Sequence, residues 1–453
     1  MFEGPVLRLL IRLSLPILAG MVFQLLYNIT DTIWISRIDL NDPSYVGGTG
    51  IIFPFLFVAI ALGNGIMVGT SSLVARSIGR GNDTLLNKTA ESGLAIAFIL
   101  AVILTVLCYT FDKEIISLLG AEGDYFIHAL EYFRFIIPTG MVAFLSYVFF
   151  GIVQGEGQMK YLMNGMIFGT AANIILDPVF IFLLKMDVRG AALATTLSQI
   201  FSFGYILSVF LRKKTSIHIE WKIRNIDFSI IKNISSIGFP QALGMMLMGF
   251  SFFIYNRVVV EIDPKFLTAF TLCGRFDQAV LMPIFAIGSA LLTMVGQNAG
   301  RGNFRRISDI WKVSLLSSST VVLILAAVMV ILAPKIYPFF TDIDEVVRYT
   351  VLQTRIIEFT FIFAAVGILA RSFYQAIGHP MPALLIILLR LVVIAIPAVL
   401  LYVYVFGLGV YGVWLGMITG NVISAVVSLF LVKGALKKLQ TGALDIIRVK
   451  NDR

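Results

Sequence analysis

The feature that most constrains this chain of 453 residues is a succession of long apolar segments. A membrane-spanning helix needs about 20 mostly apolar residues, and about twelve segments, each of about 20 to 28 residues, meet that criterion. They begin near Leu9, Gly48, Thr89, His128, Leu162, Gly190, Ile234, Leu267, Val313, Thr354, Met381 and Gly409. Only 13% of the residues are charged, too few to cover a water-facing surface. The sequence therefore predicts an all-α membrane protein.

The distribution of basic residues predicts how the chain is oriented in the membrane. The formal net charge is +9, but the Lys and Arg residues lie in short connections rather than in one continuous stripe, so we expect no nucleic-acid partner. Most of them fall in the termini and in the even-numbered connections, which places both termini in the cytoplasm. We expect a multi-pass protein of the plasma or inner membrane, with the lipid bilayer as its surroundings.

The second half of the chain repeats the first at an offset of about 220 residues. The matching stretches occur in the same order in both halves. They are Pro16 with Pro240, Val74–Asn82 with Val295–Asn303, Gln154–Gly157 with Gln375–Gly378, and Asp177–Pro178 with Ile396–Pro397. Six spans in each half is an even number, so the halves share one orientation. We therefore predict two six-helix bundles related by a pseudo-twofold axis along the membrane normal, with a substrate site between them.

The apolar segments and the polar stretches between them divide the chain into four parts. The longest polar stretch, residues 212–232, is predicted to be a cytoplasmic linker between an N-terminal half (1–211) and a C-terminal half (233–434). Residues 435–453 are predicted to form a cytoplasmic tail. The sequence holds no GxxxxGK[ST] motif for nucleotide hydrolysis and no paired Ser and His within a span, so we expect a protein that is not an enzyme and needs no cofactor.

Ionisable residues inside a span are costly and indicate function. Asp31 lies in the first segment with Gln24, Tyr27 and Asn28, and these four side chains fall within an arc of about 100° on the helix. An Asp in contact with water at the membrane surface is one interpretation, but the aligned polar stripe favours a side chain that faces a cavity.

Asp177 is the second acidic candidate, in segment five. Asn173 lies one turn away on the same face, and Pro178 cannot donate a backbone hydrogen bond, so we expect a kink here. Thr195 adds a hydroxyl group on segment six. Two carboxylates with amide and hydroxyl oxygens suit a hard cation, and they also suit a shared proton because neighbouring like charges disfavour simultaneous ionisation.

These features resemble the multidrug and toxic compound extrusion (MATE) family, most closely its DinF-like branch. The resemblance rests on Leu13–Pro16, Tyr27–Asp31, Gly79–Asn82, Asn173–Pro178, Gly190–Thr195 and Gly296–Gly300. It implies a secondary antiporter, expected to be a monomer, that exports lipophilic and often cationic compounds in exchange for H⁺ or Na⁺. Carried over to this chain, the coupling site comprises Asp31, Asn173, Asp177 and Thr195, which are also the ligands for Na⁺, with Tyr27 as a neighbour.

The second half departs from the branches of the family that place acidic residues there. The counterpart of Asp31 is about Tyr255 or Asn256, and that of Asp177 is Ile396. Glu358, in segment ten, is expected to lie too near the end of its helix to matter. We therefore expect no ion site in the second half.

Flexible Met side chains and flat rings accept many ligand shapes. We predict a lipophilic substrate chamber lined by Tyr27, Gln24, Asn28, Met245, Met248 and Phe252. One alternative is a flippase for lipid-linked oligosaccharides, which would need a basic cavity built from residues such as Arg275 and Arg390. A membrane protein with no transport role is the third class.

Overall fold

The computed structural model describes residues 1–39, 42–217, 225–444 and 446. Twelve helices of this part of the chain are long and apolar enough to cross a membrane. They are α1 (Val6–Ser36), α2 (Ser44–Arg80), α3 (Asp83–Thr110), α4 (Gly123–Glu156), α5 (Met159–Leu183), α6 (Asp187–Leu211), α7 (Phe228–Ile262), α8 (Pro264–Arg301), α9 (Phe304–Phe339), α10 (Asp344–Ala376), α11 (Pro380–Val405) and α12 (Gly409–Gln440). A short helix, Asp112–Leu118, lies between α3 and α4. The predicted all-helical fold with about twelve spans is confirmed.

Most helices begin before their predicted apolar segments, and α10 shows why. Its first part, Asp344–Ile357, carries acidic residues in its first turn, where they interact favourably with the helix dipole. The same part buries the polar side chains of Thr350, Gln353 and Thr354. The apolar pattern of the sequence therefore predicts a start near Thr354, ten residues after the observed start at Asp344.

Proline residues coincide with irregular hydrogen bonding in α5 and α11. α5 changes from α-helix to π-helix directly after Pro178, over Val179–Leu183. In α11, π-helical turns over Leu389–Ala395 and Leu401–Val405 flank a short α-helical stretch that contains Pro397. Proline has no backbone N–H and so removes one hydrogen bond of the regular helix, which weakens the α-helical pattern next to Pro178 and Pro397. The kink predicted near Pro178 stays a prediction; the structure shows a local change of helix type there, and a similar change flanks Pro397 in the second half.

The chain divides into two compact units. One contains Leu15–Ala242, and the other contains Met1–Ser14 together with the described residues from Leu243 onward. α1 and α7 therefore each contribute residues to both units. Residues 218–224 of the predicted linker and most of the end of the predicted tail (445 and 447–453) lie outside the described residues.

Small residues allow close helix packing at equivalent places in the two units. A Cβ atom at Gly190 of α6 would lie 2.8 Å from the backbone carbonyl group of Phe180 in α5. A Cβ atom at Gly412 of α12, the position that matches Gly190 in the repeat, would lie 3.0 Å from the backbone nitrogen of Val403 in α11. The small residues of α6 and α12 thus serve packing, as in other membrane helices.

Candidate functional site

Three helices of the Leu15–Ala242 unit carry the predicted coupling residues. α1 carries Tyr27 and Asp31, α5 carries Asn173 and Asp177, and α6 carries Thr195. The hydroxyl oxygens of Tyr27 and Thr195 lie 3.2 Å apart, so a hydrogen bond joins α1 to α6 across 168 positions of sequence. The structure therefore brings α1 and α6 together at two of the predicted residues.

Asn173 and Asp177 form a buried pair on one face of α5. Nδ2 of Asn173 donates a hydrogen bond to Oδ1 of Asp177 at 3.0 Å. Both residues are 0% exposed. The pair is local, because residues four apart on a helix face each other. The second oxygen of Asp177 and the amide oxygen of Asn173 are buried and accept no hydrogen bond from the described residues.

Asp31 contributes a further unmatched oxygen. Its side chain is partly exposed, but Oδ1 is buried and accepts no hydrogen bond within the described part of the chain. Asp31 and Asp177 are close enough for their charges to interact, and Tyr27 lies within range of both. Buried oxygens without donors are costly. A proton or a hard cation removes that cost, since protonation supplies a donor and a cation takes oxygen ligands.

Among the described residues, no three His, Cys, Asp or Glu side chains lie together in a group that could hold a metal ion. The predicted Na⁺ ligands are of a different kind, because they combine only two carboxylates with amide and hydroxyl groups. Their amide and hydroxyl oxygens, together with the unmatched carboxylate oxygens, fit a singly charged hard cation. The arrangement equally fits a proton shared by the two carboxylates.

Tyr132 is a neighbour of this site that the sequence did not indicate. It lies in α4, is 6% exposed, and is within electrostatic range of Asp31, Tyr27 and Asp177. Nothing local marks it, because a single tyrosine in an apolar helix is common and its position relative to α1 depends on tertiary packing.

The predicted substrate residues lie in both units. Gln24 and Asn28 are exposed on α1. Met245, Met248 and Phe252 follow at helical spacing on α7 in the other unit, and Phe252 is 49% exposed. Their joint role in a chamber stays a prediction.

The expectation for Glu358 was wrong. α10 begins at Asp344, so Glu358 lies more than three turns inside the helix, and it is 0% exposed. Both of its carboxylate oxygens are buried and form no hydrogen bond with the described residues. Asp277 of α8 is close enough for the two charges to interact. The second unit therefore holds an acidic pair. The sequence did not indicate it, because the predicted start of α10 near Thr354 put Glu358 close to the end of the helix.

The two arginines considered for a basic cavity lie in different surroundings. Arg275 is exposed on α8 and makes no hydrogen bond or ion pair with a described residue. Arg390 is partly buried on α11 and donates to Asn421.

Comparison with known proteins gives one family over most of the chain. The model of the MatE family matches residues 16–179 and 240–401, one stretch in each half. The probable multidrug resistance protein NorM of Thermotoga maritima is 26% identical over 95% of this chain and 93% of its own length. The multidrug export protein MepA of Staphylococcus haemolyticus is 22% identical over 99% of this chain and 98% of its own length.

A solved structure of the MATE transporter ClbM in complex with Rb⁺ is also similar. It is 33% identical to this chain, with a TM-score of 0.87 over 97% of this chain and 98% of ClbM. An outward-facing structure of a multidrug resistance MATE family transporter of the MOP superfamily shares 27% identity and a TM-score of 0.92, with the same coverage.

Proposed function

Because the chain belongs to the MatE family, we propose that it is a secondary multidrug transporter, not an enzyme, that exports lipophilic and often cationic compounds in exchange for H⁺ or Na⁺. The observation that carries the proposal is the set of buried, unmatched oxygens of Asp31, Asn173 and Asp177 inside helices long enough to span a membrane. Such groups are expensive in a bilayer unless they take part in ion or proton movement.

The geometry suggests how an ion would drive the cycle. A proton or Na⁺ that enters the site neutralises the interacting carboxylates of Asp31 and Asp177. The loss of charge favours a conformation in which α1, α5 and α6 pack more closely, and only a difference in ion affinity between two conformations shifts their populations. The hydrogen bond between the hydroxyl groups of Tyr27 and Thr195 links α1 to α6, so we expect a change at Asp31 to be passed to α6.

We propose that the ion-coupling site lies in the N-terminal half of the chain. Asp31, Asn173, Asp177 and Thr195 are the proposed ion ligands, with Tyr27 as their neighbour, and this arrangement favours the DinF-like branch. The substrate is proposed to occupy a lipophilic chamber lined by Gln24, Asn28, Met245, Met248 and Phe252. We retain the division into halves 1–211 and 233–434, the linker 212–232 and the tail 435–453.

A transport assay tests the function. Purified protein is placed in liposomes loaded with a lipophilic cationic dye. The dye is expected to leave the liposomes faster when H⁺ or Na⁺ can flow down a gradient in the opposite direction than when no gradient is present. An ionophore that dissipates the gradient is expected to abolish the difference. Dye movement at the same rate with and without both gradients would exclude ion-coupled antiport.

The proposed orientation, with both termini in the cytoplasm of a cell-membrane protein, makes a separate prediction. Lys213 and Lys185 are both exposed, both have positive φ angles, and are expected on opposite sides of the membrane. In a background without Cys108 and Cys273, a membrane-impermeant thiol reagent applied to intact cells is expected to label Lys185→Cys and to spare Lys213→Cys until the cells are opened. The reverse pattern would invert the assigned topology.

A further inference from the structure

Two arginines lie together in the second unit, inside helices long and apolar enough to span a membrane. Arg371 lies on α10 and Arg390 lies on the first π-helical turn of α11. Both side chains are partly buried, and they are close enough for their charges to interact. A Cβ atom added at Gly244 of α7 would lie 3.5 Å from Nη2 of Arg371, so that guanidinium reaches the α7 helix.

The contacts of Arg390 are with neutral groups. Its Nε donates a hydrogen bond to Oδ1 of Asn421 at 2.8 Å, and Tyr255 is its phenolic neighbour. Within the described part of the chain, its terminal nitrogens form no hydrogen bond and no carboxylate pairs with it. A guanidinium has five N–H donors and stays protonated in proteins. Most of the donors of Arg390 are therefore available to a ligand.

Two adjacent positive charges inside a spanning bundle repel each other, and each is costly where water is scarce. An anion placed between them offsets that repulsion and can accept hydrogen bonds from the remaining donors of Arg390. The planar N–H fork of arginine matches the geometry of carboxylate and phosphate groups.

The internal repeat allows corresponding positions of the two halves to be compared. By the repeat alignment Tyr255 or Asn256 stands about where Asp31 stands in the first half, and Arg390 stands about where Ala171 does. The position that carries negative charge in one half is thus neutral in the other, where Tyr255 is the neighbour of a cation.

We propose that Arg371 and Arg390 form a binding subsite for the carboxylate or phosphate group of an exported compound. The substrates then include lipophilic zwitterions and acids as well as cations. This inference rests on the proposed export function and specifies the chemistry that one half recognises.

A matched pair of dyes tests the subsite. Rhodamine B carries a free carboxylate, and its ethyl ester has the same ring system without that charge. Binding of each dye to purified protein in phosphatidylcholine nanodiscs is measured by fluorescence polarisation. Arg390→Gln is expected to weaken rhodamine B binding about 10-fold to 100-fold, the loss expected for one charge-assisted contact, and to leave binding of the ester unchanged. The affinity of Arg390→Lys for rhodamine B is expected to lie between those of the unchanged protein and Arg390→Gln, because lysine keeps the positive charge but has no planar N–H fork.

Arg275→Gln is the control, because Arg275 is an exposed arginine of the same unit without a described partner. It is expected to bind both dyes as the unchanged protein does. Retained ester binding shows that the Arg390 variants are folded. Equal losses for the two dyes, or no loss for rhodamine B in either Arg390 variant, would overturn the subsite. If neither dye binds or is transported by the unchanged protein, the failure is that of the export function itself.

An anionic lipid headgroup offers the same chemistry as a soluble carboxylate. The measurement is therefore repeated in nanodiscs that contain phosphatidylglycerol. An Arg390-dependent preference for rhodamine B that persists there supports a substrate subsite. A preference that disappears when phosphatidylglycerol is present would assign the arginines to lipid and overturn the substrate assignment.

Discussion

Asp177→Asn is expected to give a folded protein that binds its substrate but no longer accumulates it against a gradient. The change keeps the volume of the side chain and removes the charge that an ion or proton would neutralise. A membrane potential supplies about 2.3 kcal/mol per charge per 100 mV. That energy corresponds to about a 50-fold accumulation ratio, which the variant is expected to lose. Asp31→Asn is expected to behave alike, because its unmatched oxygen belongs to the same cluster.

The measurement is dye accumulation in proteoliposomes under an imposed gradient, with dye binding in detergent as the test of folding. Glu358→Gln is the matched control, since Glu358 is also a fully buried carboxylate but lies in the other unit. It is expected to retain coupling. Full gradient-driven export by the Asp31→Asn, Asp177→Asn double variant would exclude a coupling site in the first half. If only Glu358→Gln loses coupling, the coupling site must instead be assigned to Glu358 and Asp277.

The fold was largely predictable because lipid imposes a simple rule on sequence. Every spanning segment must satisfy its own backbone and face hydrocarbon, so long apolar runs identify helices directly. The rule fails where a helix end is polar, as in Asp344–Ile357. There the helix continues beyond its apolar part, and a residue at its middle, Glu358, was mistaken for one near its end.

The candidate site was predictable only to the extent that it is local. Asn173 and Asp177 are one helical turn apart, and their hydrogen bond follows from helix geometry alone. The contact between Tyr27 and Thr195 joins distant segments, and only resemblance to a known family suggested that they meet. Tyr132 is brought to this group purely by tertiary packing, and no spacing in one sequence encodes it.

Gly65→Ala is expected to destabilise the protein strongly, although a single methyl group is added. A Cβ atom at Gly65 of α2 would lie 2.4 Å from the backbone oxygen of Gly238 in α7. A Cβ atom at Gly238 would in turn lie 2.7 Å from the backbone oxygen of Gly65. Both obstructing atoms are backbone, so no side chain can move aside and the helices must separate. Overpacking of this kind costs about 1 to 3 kcal/mol, and it outweighs the gain of up to about 1 kcal/mol that Gly→Ala brings in a helix.

Separation of these helices also strains a contact further along the same pair. The buried guanidinium of Arg76 on α2 donates from Nη2 to Oδ1 of Asn233 on α7 at 3.2 Å. Gly140→Ala in α4 is the control, because a Cβ atom there meets nothing within 4 Å. We expect thermal unfolding in detergent at a lower temperature for Gly65→Ala, and at the original temperature or above for Gly140→Ala. If both variants unfold at or above the original temperature, the backbones of α2 and α7 do not touch at Gly65, and the close approach of these helices must be placed elsewhere.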